Sequence, residues 1–193
     1  MPHVEPIARE DLAHLEEGFA LVEAAMGFVP SSLRTMAHVP GLAEGFQGLA
    51  GVVLANPMID GELKHMVSHV ASRAAGCRYC QAHTGATAVN QGADPAKIAA
   101  IWEFETSALF TDAERAALRL AFHSGANAAT ADDFTACRAH FNEPEIVSIV
   151  AVCALFGYLN RWNDTMATAL EDEPAAFAET TLAPLGWHAD KHA

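Results

Sequence analysis

Apolar residues along this chain recur every three or four positions, and no segment alternates convincingly between apolar and polar. That spacing places apolar side chains on one face of an α-helix. It predicts an amphipathic opening helix over 10–26, a short helix from Pro30, and longer helices over 41–55 and about 60–75. The pattern therefore predicts an all-α helical bundle.

Capping residues and prolines indicate where the later helices begin. Gly76 separates the helix before it from one that begins at Cys77 and stops near Gly92. Three further starts are predicted from an acid, threonine or asparagine that can accept hydrogen bonds from the first turn. They are Asp94-Pro95, Thr111 with Glu114 ahead of a helix to His123, and Asn142 with Glu145 ahead of an apolar helix over 144–170.

Composition favours one compact domain over 1–193, since hydrophobic residues make up 51% of the chain and no linker-like segment appears. A formal net charge of −13 without a basic cluster argues against nucleic-acid binding. The longest apolar stretch, 146–159, is shorter than the roughly 20 residues that span a bilayer, so we expect a core helix and no membrane association. The N-terminus lacks a charged-then-apolar signal sequence, so we expect a cytoplasmic protein.

The most informative segment carries two cysteines three residues apart, Cys77 and Cys80, followed by His83. Two thiols in one helical turn lie close enough to form and break a disulfide. In a reducing compartment such a pair is typical of redox catalysis or metal binding. The free N–H groups of a helix start favour the thiolate of the first cysteine. The other two cysteines, Cys137 and Cys153, are expected to be inert.

Three ionisable residues of the preceding helix, Glu62, His65 and His69, are spaced to form one polar stripe. If the break at Gly76 folds the two helices together, the stripe would face the thiols and act as a proton relay. The alternative is that these histidines lie on a solvated face.

Two further interpretations stay open. Cys77, Cys80 and His83 would supply three zinc ligands, with His69 or Glu62 as the fourth. Near the end of the long apolar helix, Asn160 to Asp164 forms an abruptly polar segment. In one interpretation, the helix simply emerges from the core at this segment. In the other, the segment is functional: Asn160 and Asn163 or Asp164 line a pocket, and Arg161 or Trp162 contacts a partner subunit.

With these residues laid out, the chain resembles the alkylhydroperoxidase AhpD-like and carboxymuconolactone decarboxylase superfamily. The resemblance is carried by Gly76-Cys77-Arg78-Tyr79-Cys80 followed by Ala82-His83-Thr84, within a motif core at about 60–102. It implies an AhpD-like bundle and a peroxidase-related member. The family glutamate position falls on His65, with Glu62 one turn earlier. The relay histidine of well-studied peroxidases falls on Thr84, one position after His83.

The resemblance implies a thiol peroxidase that reduces hydrogen peroxide or organic hydroperoxides without a cofactor or metal. Cys80 would attack the peroxide, Cys77 would resolve the sulfenic acid into a disulfide, and an external dithiol would restore both thiols. It also implies a homo-oligomer, dimeric or hexameric. Two alternatives are a decarboxylase-like enzyme for a small acid or lactone and a non-catalytic redox or zinc-binding oligomeric module.

Overall fold

A computed structural model describes all 193 residues, and it contains helices joined by turns, without β-strands. The α-helices are α1 Glu16–Met26, α2 Ser31–Met36, α3 Leu42–Ala55, α4 Gly61–Ala74, α5 Arg78–Asn90, α6 Pro95–Ala99, α7 Asp112–Gly125, α8 Ala131–Arg138, α9 Glu143–Met166 and α10 Asp172–Phe177. Short 3₁₀ turns occupy Arg9–Leu15, Ile101–Glu103, Ala183–Leu185 and Asp190–His192, and a π-helical turn occupies Ala178–Leu182. The predicted all-α fold is confirmed.

Helices α4 and α5 form an antiparallel hairpin, and its geometry positions the candidate site. Asp60 accepts a hydrogen bond from the Leu63 N–H at 2.8 Å, which starts α4 at the predicted place. Gly76 adopts a left-handed backbone with φ +80°, which lets the chain reverse between the two helices. As a result, the end of α4 lies beside the start of α5, and the start of α4 lies beside the end of α5.

The main core is built on α4, α7 and α9, and every pair of these helices is in contact. Helix α9 also contacts α3, α5 and α8, so it is the central element of the bundle. By length and apolar composition alone this helix could cross a membrane. Its packing against five other helices agrees with the predicted core helix instead.

The structure corrects the sequence prediction at both ends of the chain. The predicted opening helix over 10–26 is a 3₁₀ turn followed by α1, because Leu12 leaves the helical region with φ −114° and ψ 32°. Helix α9 ends at Met166 rather than Leu170, where Ala167 adopts a left-handed backbone. Helix α8 and the C-terminal segment 170–193 were not predicted. That segment packs its Trp187 and Leu182 against Ala82 of α5.

Close packing of α4 on α7 depends on Gly125. A Cβ at this position would lie 2.4 Å from the Ala71 carbonyl oxygen and 2.9 Å from the Ala74 Cβ. We expect Gly125→Ala to lower the free energy of unfolding by about 1–3 kcal/mol through overpacking, as measured by urea denaturation. Gly45→Ala is the matched control, because no atom lies within 4 Å of its added Cβ. The control should gain up to about 1 kcal/mol of helix propensity, and equal losses in both variants would contradict the packing argument.

Candidate redox site

The two cysteines occupy the first turn of α5, as the spacing predicts. Cys77 is the N-cap residue, and its Sγ accepts a hydrogen bond from the Cys80 N–H at 3.3 Å. This sulfur therefore takes the place of the side-chain oxygen that usually caps a helix. Because a thiolate accepts such a bond better than a thiol, the local backbone favours ionisation of Cys77.

The two thiols differ in acidity. The neighbouring Cys80 thiol, acting as a hydrogen-bond donor, lowers the pKa of Cys77 despite its burial. Burial and the same hydrogen bond raise the pKa of Cys80 well above its usual value, and a bond donated by the Asn163 amide only partly offsets this. Cys77 is therefore the more easily ionised of the two thiols. These electrostatics oppose the resemblance-based assignment of Cys80 as the attacking sulfur.

Both sulfurs are shielded from solvent. Cys77 is 1% exposed and Cys80 is 2% exposed, and they pack with Tyr79 beneath Leu159 and Leu170. Neither forms a disulfide in this structure. A substrate must therefore be small to reach the two sulfurs, or Leu159 and Leu170 must move aside.

Helix α9 contributes polar groups to this enclosure. The Asn163 Nδ2 donates a hydrogen bond to the Cys80 Sγ at 3.5 Å. The Oδ1 of Asn163 and both amide atoms of Asn160 are buried without a hydrogen-bond partner. Asp164 instead pairs with Lys191 at 2.9 Å. The two amides lie one helical turn apart on the same face of α9.

A carboxylate that the sequence analysis missed, Glu171, organises the other side of the site. Its Oε2 lies 2.6 Å from the His83 Nε2, and its Oε1 accepts hydrogen bonds from the Tyr79 hydroxyl at 3.1 Å and from the Ser31 N–H. Burial opposes its charge, but the bonds from His83 and Ser31 outweigh burial and lower the pKa of Glu171. Burial and Glu171 together raise the pKa of Tyr79, so Tyr79 remains a donor. His83 therefore has a fixed carboxylate partner.

His69 reaches α5 through a backbone-linked hydroxyl rather than through a thiol. Its Nδ1 lies 2.8 Å from the Thr84 Oγ1, and Thr84 donates to the Cys80 carbonyl at 2.7 Å. Since the hydroxyl hydrogen goes to that carbonyl, His69 donates from Nδ1. Burial, followed by the charge of Arg73, lowers the pKa of His69 to about 4. His69 is therefore neutral near pH 7 and supports the backbone of Cys80.

The depressed pKa of His69 predicts an acid-sensitive fold. In the unfolded chain His69 takes up a proton below about pH 6.5, whereas in the folded protein it is protonated only below about pH 4. The free energy of unfolding therefore falls as the pH decreases through this window. At pH 5 we expect a loss of roughly 2 kcal/mol from this group alone. Urea unfolding at pH 7 and pH 5 measures it. His69→Gln should show a smaller pH dependence, whereas exposed His140→Gln should match wild type. Identical pH dependence in all three would contradict this origin.

Glu62 and His65 lie at the other end of the hairpin, so the predicted relay stripe is corrected. Glu62 accepts from the Asp94 N–H at 3.2 Å, and His65 lies 2.8 Å from the Gln91 Oε1. Helix α5 rises about 1.5 Å per residue, which puts Gln91 roughly 20 Å from Cys77. In an antiparallel hairpin, the residues that start α4 face the end of α5. Of the three stripe residues, only His69 lies near the level of the thiols.

The structure does not bring together the four ligands that the zinc alternative requires. No group of three or more histidine, cysteine, aspartate or glutamate side chains is arranged to hold a metal ion. His83 is paired with Glu171, and Glu62 is at the far end of α5. The remaining cysteines, Cys137 and Cys153, are buried in the main core away from the motif, as expected.

Comparison with known proteins assigns the family. A crystal structure of a cysteine-to-alanine variant of the debrominase Bmp8, in complex with 2,3,4-tribromopyrrole, is 34% identical to this chain with a TM-score of 0.88. The match covers 92% of this chain and 96% of the Bmp8 chain. The model of the carboxymuconolactone decarboxylase family matches residues 40–122. This chain belongs to the carboxymuconolactone decarboxylase family. The match to this family confirms the resemblance found in the sequence.

Two further solved structures share the fold at lower identity. A peroxidase-related protein from Ralstonia eutropha JMP134, described as an alkylhydroperoxidase AhpD core, is 22% identical with a TM-score of 0.78 over 92% of this chain and 95% of its own. A peroxidase-related protein from Silicibacter sp. TM1040 is 20% identical with a TM-score of 0.73. That match covers 89% of this chain and 90% of the Silicibacter chain. Both support the AhpD-like fold alone. No curated protein sequence matches the chain.

Proposed function

We propose that this protein is a dithiol-dependent reductase, in which Cys77 and Cys80 pass two electrons to a small electrophile and become a disulfide. The observation that carries the proposal is the Cys77 sulfur at the helix cap, with its pKa lowered, and the Cys80 thiol in the same helical turn, with its pKa raised. An anionic sulfur beside a neutral thiol supplies both the nucleophile and the second, resolving group.

Hydroperoxides are the first substrate class. The Cys77 thiolate attacks one peroxide oxygen and breaks the O–O bond, and a proton converts the leaving oxygen to an alcohol or water. The Cys80 sulfur then attacks the Cys77 sulfenic acid and forms the disulfide. The displaced hydroxide takes up the Cys80 proton and leaves as water. An external dithiol reduces the disulfide by exchange and is itself oxidised. This is the activity that the AhpD-like motif implies.

Halogenated aromatic rings are the second substrate class, and the comparison with the debrominase favours it. This chain is 34% identical to the debrominase over 92% of its length. It is only 22% identical to the peroxidase-related protein from Ralstonia eutropha JMP134 over the same share. In this reaction the Cys77 thiolate takes the halogen as a sulfenyl halide, and the ring carbanion takes up a proton. Cys80 then displaces halide ion and loses its proton, and the same disulfide forms. Both reactions require a two-electron donor and one proton delivered to the leaving fragment.

The pair of His83 and Glu171 supports the proton step. His83 lies one turn after Cys80, and its ring stacks on Tyr79 with centroids 4.1 Å apart. The hydrogen bond to Glu171 fixes the orientation of the ring. We assign His83 as the general acid and Glu171 as its positioning residue.

The deciding experiment measures thiol-dependent turnover of both substrate classes. Wild-type protein with a dithiol reductant is assayed for loss of hydrogen peroxide and cumene hydroperoxide, and for bromide release from brominated pyrroles. Cys77→Ala with Cys80→Ala should abolish the activity. Cys137→Ala with Cys153→Ala removes the same number of buried thiols elsewhere and should keep it.

Three outcomes would contradict the proposal. The first is that neither substrate class is consumed. The second is that consumption survives loss of the Cys77 and Cys80 thiols. The third is thiol-independent turnover of a small acid or lactone, which would favour the decarboxylase-like alternative.

We also propose a cytoplasmic homo-oligomer, dimeric or hexameric. Support comes from apolar side chains left exposed on the adjacent helices α3 and α9, which are Leu49, Val52, Leu54, Val147, Val150 and Tyr158. Exposed apolar groups clustered on touching helices are typical of surfaces that associate. Light scattering after size-exclusion chromatography tests this, and a monomer at all concentrations would overturn it.

A further inference from the structure

A cavity lies beside the first turn of α5, and neither the Cys77 thiol nor the Cys80 thiol lines it. It has a volume of about 220 Å³. About 150 Å³ is enough to hold a benzene ring, so this cavity has room for a ring with one polar substituent. Its lining includes Arg73, Arg78, Gln81, Trp102, Trp187 and two leucine side chains.

The charge of this cavity is positive and uncompensated. Arg73 and Arg78 both line it, and neither forms an ion pair with a carboxylate. No acidic side chain is part of the lining, although the chain carries a formal net charge of −13. Two neighbouring guanidinium groups repel each other, and burial followed by the charge of Arg78 lowers the pKa of Arg73. An anion between them would relieve this repulsion.

A buried amide and two indole rings complete the lining. Gln81 is only 4% exposed, and its side chain makes no hydrogen bond within the protein. The Arg73 guanidinium lies 3.8 Å from the centre of the Trp102 ring. Trp187 is held by a hydrogen bond from its Nε1 to the Arg78 carbonyl at 3.1 Å. The cavity therefore presents flat apolar surfaces, two cations and one unused amide.

We propose that this cavity binds a small aromatic carboxylate. The carboxylate lies between Arg73 and Arg78 and accepts a hydrogen bond from the Gln81 amide. The ring occupies the space bounded by Trp102, Trp187 and the leucine side chains. A planar carboxylate matches the paired donors of a guanidinium, and the indole rings favour an aromatic body over an aliphatic one. The site is distinct from the thiols, so the inference stands without the proposed reductase activity.

Isothermal titration of the reduced protein with benzoate tests the proposal. We expect one saturable site whose affinity weakens as salt is raised, because the recognition is partly ionic. Arg73→Gln with Arg78→Gln should weaken benzoate binding by about tenfold or more. Arg161→Gln is the matched control, since Arg161 also lacks an ion pair but lines a different groove. Its affinity for benzoate should equal that of wild type.

Two probes separate the contributions of ring and charge. Benzyl alcohol has the ring without the charge, and acetate has the charge without the ring, so both should bind at least tenfold more weakly than benzoate. Inorganic phosphate that binds as tightly as benzoate would overturn the aromatic assignment. The absence of saturable benzoate binding, or equal binding by the double arginine variant, would overturn the site.

Discussion

Cys77→Ser is expected to lose dithiol-dependent turnover by about 10³-fold or more, because it replaces the thiolate that begins the reaction. Serine can still accept the Cys80 N–H bond, so the first turn of α5 keeps its cap. Cys80→Ser should behave differently. It should react once with the oxidising substrate and then stop, because the oxidised Cys77 has no resolving thiol.

Single-turnover mass spectrometry distinguishes these roles. After one equivalent of peroxide, Cys80→Ser should carry a sulfenic acid at Cys77 that a dimedone-type reagent traps. Cys77→Ser should carry little or none at Cys80, whose pKa is raised by burial. The reverse distribution would contradict our assignment and restore the one implied by the family resemblance. Cys153 is the internal control in both variants, since burial raises the pKa of its thiol to about 12 and it should remain unmodified.

Glu171→Gln is expected to lower the proposed turnover by about 10²-fold, because the carboxylate that positions the His83 ring is lost. The amide keeps the shape of the side chain but loses one acceptor oxygen, so either Tyr79 or His83 loses its partner. The pH profile of kcat should change as well, because the residue assigned as the proton donor loses its carboxylate partner.

Glu173→Gln is the matched control, because Glu173 lies two residues along the same segment and bonds the exposed Asn90 side chain. Its turnover and pH profile should equal those of wild type. Steady-state kinetics between pH 5.5 and 8.5 measure both variants. An unchanged pH profile in Glu171→Gln would limit Glu171 to a structural role and remove His83 as the acid.

The helices and the cysteine pair were predictable because their signals are local. Asp60, Thr111 and Asn142 cap the helices that they were expected to cap. The placement of Cys77 at a helix start follows from Gly76 and needs no information from distant residues. Each of these predictions depends on residues within one helical turn of each other.

The relay could not be predicted in the same way. Glu62, His65 and His69 do share one face of α4, but an antiparallel hairpin spreads that face along the whole length of α5. Counting outward from the turn at Gly76 would have placed Glu62 and His65 opposite the end of α5.

Glu171 illustrates what the sequence does not contain. It lies 88 residues from His83 and 140 from Ser31, and its own neighbourhood has the acidic residues and proline typical of an ordinary helix start. The partners meet only because the C-terminal segment folds back across α5. No local pattern specifies that return.

The enclosure of the sulfur pair has a consequence for the lifetime of the protein. A cysteine sulfenic acid that meets a second oxidant molecule becomes a sulfinic acid, which most cells cannot repair. Here the neighbouring thiol sits in the same helical turn, while bulk oxidant is held back by Leu159 and Leu170. In the proposed reaction we therefore expect intramolecular capture to outcompete the damaging collision, so that the protein survives many cycles in an oxidant concentration that would inactivate an open thiol.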